Sequence, residues 1–236
     1  MFTLFTTPDW FSGIDLVFNI VVFLIALFIA GYSYRVYKIS SENKFAYFSV
    51  AFLLIGFALL AKIVTFAILY FHPVRETAYQ VLLPVTQGKV AFMDLFYRIG
   101  FFAQMASMLG ALLLIFLVSQ KSRERLRRFH EITQIGLFVY LIGLIAILAT
   151  FKYVVFPLTS AVLLSLIVLN YYKNYLNSNK NKNSLLVTKA FMLLLVSQIF
   201  FIFVDFNNAF YFFGEMLLLI GFLLILYIYR KVTRRN

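Results

Sequence analysis

The sequence contains no cysteine. Disulfides, thiolate nucleophiles and cysteine-bound metals are thereby excluded, and the redox compartment leaves no mark on the composition. Histidine is almost as scarce, with only His72 and His130. Proline occurs four times, and tryptophan once, at Trp10. Charge is the largest shortage: 13% of residues are Asp, Glu, Lys or Arg, against about 25% in an ordinary soluble domain. Acidic residues are the scarcer sign, nine against 21 basic ones, which gives a formal charge of +12.

What fills the space is apolar. Hydrophobic residues make up 63% of the chain, including 30 Phe and 15 Tyr, and the mean hydropathy is +0.93. No soluble core hides that much apolar surface. The composition therefore predicts an all-α membrane protein whose main solvent is lipid. The basic excess does not point to nucleic acid, because it sits in short loops between apolar runs, where it sets topology.

A bilayer core about 30 Å thick calls for about 20 apolar residues per helix. Seven stretches qualify, near 14–36, 45–71, 91–118, 132–150, 154–174, 185–205 and 209–229. Backbone groups in lipid must be satisfied within the segment, so each is read as a helix of a single seven-helix domain spanning 1–236. The connections after spans one, three and five and the C-terminal tail hold 16 Lys and Arg, among them Arg35, Lys121, Lys173 and Arg234. The opposite connections hold three, Arg75, Lys89 and Lys152. The bias predicts a multi-pass protein of the cell membrane with N-terminus out and C-terminus in. The leader has no basic residue and carries Asp9, unlike a cleaved signal peptide. Trp10 with Phe2, Phe5 and Phe11 fits an interfacial aromatic anchor.

Two cytoplasmic loops resemble each other. Tyr34-Arg35-x-Tyr37, Ser40 and Asn43-Lys44 lead into Ala51-Phe52; Tyr172-Lys173-x-Tyr175, Ser178 and Asn181-Lys182 lead into Ala190-Phe191. Gln104-Met105 and Gly110 in span three match Glu215-Met216 and Gly221 in span seven. The pattern suggests a 3+1+3 parallel repeat with span four as connector, a layout that tends to place ligand sites between the halves. Shared loop composition imposed by topology is the competing explanation.

Polar residues inside the spans are the candidate site. They are Asp15 and Asn19 in span one, Lys62 in span two, and Asp94, Arg98 and Gln104 in span three. Span six adds Gln198 and Asp205, and span seven adds Glu215. A charge near the bilayer centre costs about 2.5–3.5 kcal/mol, so each calls for a partner or a purpose. On the topology above, all nine lie in the outer half or near the midplane. Asp15 and Asn19 are four apart, as are Asp94 and Arg98, so each pair shares a helix face; Gln198 and Asp205 are two turns apart. Two readings stand side by side: a polar pocket for a small molecule or ion reached from outside, or ion pairs and hydrogen bonds that set helix register. Glu215, Lys62 and Gln198 sit deepest. Pro157 either starts or kinks span five, its position favouring the start.

Several chemistries lack their residues. A retinal Schiff base needs a lysine in the middle of span seven, where Glu215 stands and the first lysine is Lys231. Seven-helix zinc hydrolases need about three histidines, and the two here fall on opposite sides of the membrane, which also sets aside bis-histidine haem. No Gly-x-Ser-x-Gly element supports rhomboid-type proteolysis. The sequence predicts no enzyme and no cofactor. The run Lys121, Arg123, Arg125, Arg127 and Arg128 could dock an acidic cytoplasmic protein or anionic lipid, or simply anchor its loop.

The segment Tyr34-Arg35-Val36-Tyr37-Lys38, followed by Phe45-Ala46-Tyr47-Phe48-Ser49-Val50-Ala51-Phe52-Leu53, resembles the first-loop region of prokaryotic seven-helix sensory modules found at the N-terminus of some histidine kinases. That resemblance implies an extracytoplasmic sensor; ending at Asn236, the chain would signal through a separate partner. The 3+1+3 layout is also similar to SWEET and PQ-loop transporters, although no Pro-Gln pair is present and Pro157 has no counterpart in span one. The expected function is thus a receptor-like sensor, with a small-solute transporter and a structural subunit of a membrane complex as alternatives.

Overall fold

The computed structural model describes residues 8–11, 13–71, 73, 76, 92–120, 128–149, 153–178 and 181–233. Within them a 3-10 turn, Asp9–Phe11, precedes seven helices: α1 Ile14–Ser40, α2 Asn43–Tyr70, α3 Phe92–Ser119, α4 Arg128–Ala149, α5 Val155–Asn177, α6 Lys182–Ile202 and α7 Ala209–Thr233. No strand occurs among the described residues. All of these helices except α4 are long and apolar enough to cross a membrane, and α4 contains the apolar stretch Val139–Leu148. Their outward faces are rich in exposed apolar side chains, such as Phe28, Phe57, Leu158, Met192 and Leu223. In water such a surface would aggregate; in lipid it is solvated. The molecule is a helical membrane bundle.

Local chemistry sets the breaks. Ser41 ends α1 in the left-handed region, φ 54°, and its N–H donates to the Tyr37 carbonyl. Asn181 starts α6, its side chain accepting from the Asn183 N–H, and Asn207 does the same for Ala209 ahead of α7 at 2.9 Å. Pro157 falls in the first turn of α5, where a missing N–H leaves no helical bond unmade. It starts the helix and does not kink it.

The helices close a ring in chain order with one exception. Helix α1 packs on α2, α2 on α3, α3 on α5, α5 on α6, α6 on α7, and α7 back on α1. Helix α4 lies outside, against α3 and α5. Small residues bring neighbours close. A Cβ on Gly214 would stand 2.7 Å from the Phe201 ring, and one on Gly221 would stand 2.7 Å from the Leu194 side chain. Gly100 is packed directly against Thr65. Serine hydroxyls join α1 to α2: Ser33 donates to the Phe45 carbonyl and Ser49 to the Ala30 carbonyl. Between α3 and α5, Asn170 donates to the Ser119 hydroxyl at 3.0 Å and Asn174 to the Ser119 carbonyl at 3.5 Å. That brace sits where α3 ends, at the opposite end of the bundle from the N-terminus.

Candidate functional site

Inside the ring, α2 and α7 face one another in antiparallel register. Phe48 stacks on Tyr229 at 5.5 Å and Phe52 meets Phe222 edge-on at 6.1 Å. Further toward the N-terminal end, Lys62 donates to Glu215 Oε1 at 2.6 Å. The lysine side chain is 8% exposed and the glutamate 1%. Lys62 is eight residues from the end of α2, and Glu215 six from the start of α7, so the pair lies about 9–12 Å inside the bundle. The ammonium also faces the rings of Phe66 and Tyr211, at 5.5 and 5.6 Å. An aromatic wall lowers the dielectric around the pair and adds attraction for the cation.

Asp15 is fully buried at the start of α1, within electrostatic range of both Lys62 and Glu215. Its Oδ1 accepts from the Gly13 and Leu16 N–H groups at 3.0 and 2.8 Å, so the helix N-terminus holds the carboxylate. Gly13, at φ 91°, supplies a backbone conformation that side chains disfavour. Asn19 donates to the Asp15 carbonyl at 2.6 Å. Asp15 thus belongs to the same electrostatic system, and Asn19 supports its backbone.

Phe11 closes this end of the ring. It is 1% exposed and meets Phe18, Tyr211 and Phe212 at 5.5, 6.2 and 5.2 Å. The sequence suggested an interfacial anchor for this residue. Instead, the 3-10 turn points Phe11 inward between α1 and α7 and leaves Trp10, 61% exposed, at the surface. Phe2 and Phe5 of that expected anchor lie outside the described residues.

Beyond the ion pair lies a cavity of about 30 Å³ on the ring axis, bounded by α2, α3, α5, α6 and α7. Its walls are mostly apolar, with Phe52, Phe191 and Phe222 contributing rings and Ser160 and Gln198 the polar groups. Among the described residues, Ser160 Oγ, Gln198 Oε1, Gln104 Oε1 and Glu215 Oε2 are buried with no hydrogen-bond partner. Gln104 lies one turn before the cavity-lining Met108, and Glu215 one turn before Leu218, so both sit on the N-terminal side of the cavity. A buried oxygen without a donor costs about 1–3 kcal/mol, and four around one axis is a concentration that packing alone does not require.

The structure brings together Asp15, Lys62 and Glu215 as one charged cluster, with Asn19 behind it and Gln104 and Gln198 deeper inside. Arg98 and Asp205 do not join them, since both are exposed. The expected stripe of Gln198 and Asp205 fails because α6 ends at Ile202, leaving Asp205 in the turn before α7. The side chain of Asp94, and with it the Asp94–Arg98 pairing, lies outside the described residues, as do Lys121, Arg123, Arg125 and Arg127 and the side chain of Arg128. Ser160 was not anticipated. Buried serines in lipid usually bond back to a carbonyl of their own helix, as Ser197 does to Leu194, and the sequence has no signal that Ser160 departs from that habit. Among the described residues, no group of three His, Asp or Glu side chains is placed to hold a metal. No protein-family model, curated protein or solved structure matches this chain.

Proposed function

We propose that this protein is a receptor-like sensor of the cell membrane, with seven spans, N-terminus out and C-terminus in, whose axial polar cluster responds to a small ligand arriving from outside. The observation that carries this reading is the buried Lys62–Glu215 pair. Ionisable groups in a bilayer are expensive to hold, and they mark functional sites by default. This one leaves Glu215 Oε2 without a donor, beside three more buried oxygens in the same state. A purely structural role predicts complete pairing, so these open oxygens speak against a passive subunit. Stacked rings, Phe48 on Tyr229 and Tyr171 on Phe191, fill the half of the ring away from the N-terminus. That packing favours access from the N-terminal side.

One observation favours a transporter as second reading. Triplets α1–α3 and α5–α7 form the ring, with α4 outside as a connector. The matched tyrosine pairs, Tyr34–Tyr37 and Tyr172–Tyr175, share a 6.2 Å spacing and interplanar angles of 41° and 37°, which supports a 3+1+3 repeat. Repeats of this kind accommodate alternating access around a midplane site.

The native absence of cysteine supplies the test. Single cysteines replace Ser160, Gln198 and Glu215 in oriented vesicles, and a membrane-impermeant thiol reagent is added to either side. Modification from outside alone is the expected result. Modification from each side in turn establishes the transporter reading instead, and none from either side means that the cluster is sealed packing.

A further inference from the structure

Deeper than the ion pair, the cavity makes a chemical demand of its own. Its two polar wall groups, Ser160 and Gln198, are 1% and 9% exposed and unpartnered. Gln104 and Glu215 add two more open oxygens on its N-terminal side. Three of the four atoms are pure acceptors, an amide, an amide and a carboxylate oxygen, and the fourth is a hydroxyl that can accept. The unmet need is for positive charge or hydrogen-bond donors.

Charge points the same way. Lys62 donates to Glu215 Oε1, which leaves Oε2 of the same carboxylate as an acceptor without a donor. One half-committed carboxylate among mainly neutral oxygens suits a monovalent ion; a divalent ion wants more carboxylate ligands. Size narrows the choice further. About 30 Å³ accommodates a body no larger than about two waters. Phe52, Phe191 and Phe222, with rings on the remaining walls, tolerate a cation where they would exclude an anion.

We propose that the axial cavity is a binding site for a small monovalent cation, of alkali-metal or ammonium size, held by the oxygens of Ser160 and Gln198 with Glu215 and Gln104 behind them. The site stands whether the molecule senses or transports, because it depends on the cavity walls and not on the side from which a ligand arrives.

The test is thermal unfolding of the full chain in lipid nanodiscs, at fixed pH and ionic strength, in sodium, potassium, ammonium or choline chloride. At least one small cation raises the midpoint by a few degrees over choline, which is too large for the cavity, and the gain saturates with concentration. The rank of the three small ions separates an alkali site from an ammonium site. Ser160→Ala and Gln198→Met, each apolar and close in volume, lose most of that gain. Both fold at least as well in choline as the parent, because each removes an unsatisfied buried polar atom. Equal midpoints in all four salts overturn the proposal, and so does a cation effect that survives both substitutions. A midpoint that follows pH and ignores the salt overturns it too, because a proton on a carboxylate then supplies the missing charge.

Discussion

Lys62 and Glu215 face each other at 2.6 Å inside a lipid-solvated bundle, and removal of one is not the mirror of removal of both. Lys62→Met leaves the buried Glu215 carboxylate without its cation and is expected to destabilise by about 3–5 kcal/mol. The double variant Lys62→Met, Glu215→Leu removes the charges together and should recover most of that loss. Chemical unfolding of the four members of this cycle in nanodiscs measures the coupling, and additive losses would show that the pair contributes little to the fold. The depth of both residues was readable from the sequence, because hydropathy places a charge along its helix. Their partnership was not. Pairing across a ring depends on which helices are opposite, and neither period nor spacing encodes that. Asp205 failed for a related reason: the apolar run passes through Phe203 and Val204, so hydropathy extended the helix past the turn that ends it.

Among elements, helix contacts made by small residues carry the most direct consequences. Gly214→Ala would drive a methyl into the Phe201 ring, 2.7 Å from its nearest atom. The expected loss is about 1–3 kcal/mol, relieved in part when Phe201→Leu accompanies it; unfolding midpoints of the three variants check this. Glycines in apolar spans mark close packing, but the sequence alone does not say which neighbour each one meets. The N-terminal turn makes a second prediction at this scale. Phe11→Ala should increase the rate of modification of a cysteine at position 215 from outside by about tenfold or more, in line with loss of a few kcal/mol of buried aromatic contact. An unchanged rate would mean that access runs elsewhere. Here the sequence misled, since an aromatic residue at a membrane boundary reads as an anchor whether it points out or in.

For the molecule as a whole, apolar runs and basic loops carried nearly all of the legible information. All seven spans correspond to helices, several extended by a turn or two into the loops: α1 runs to Ser40 and α2 starts at Asn43. Lipid forces that outcome, because no other backbone arrangement in a segment of this kind satisfies its own hydrogen bonds. The proposed orientation predicts that a reporter active only outside the cytoplasm works when fused before Met1 and fails after Asn236. The opposite pattern would reverse the assignment of the site's open end. The order of helices around the ring, and the position of α4 outside it, could not be read in advance, since one apolar surface packs against another with little preference.

The two triplets are tied by polar contacts at opposite ends: Lys62 to Glu215 near the N-terminal end, and Asn170 and Asn174 to Ser119 at the other. These differ in kind, and mechanically that matters. A charged bond weakens sharply when water or a competing ion reaches it, whereas neutral amide-to-serine bonds have no net charge for an ion to compete for. If one half rocks against the other, the amide brace is the fulcrum and the ion pair is the latch. Whatever reaches Glu215 then moves the far ends of the helices least and the near ends most. A signal would leave the molecule as a change of tilt, not as a separation of the helix ends beside the amide brace.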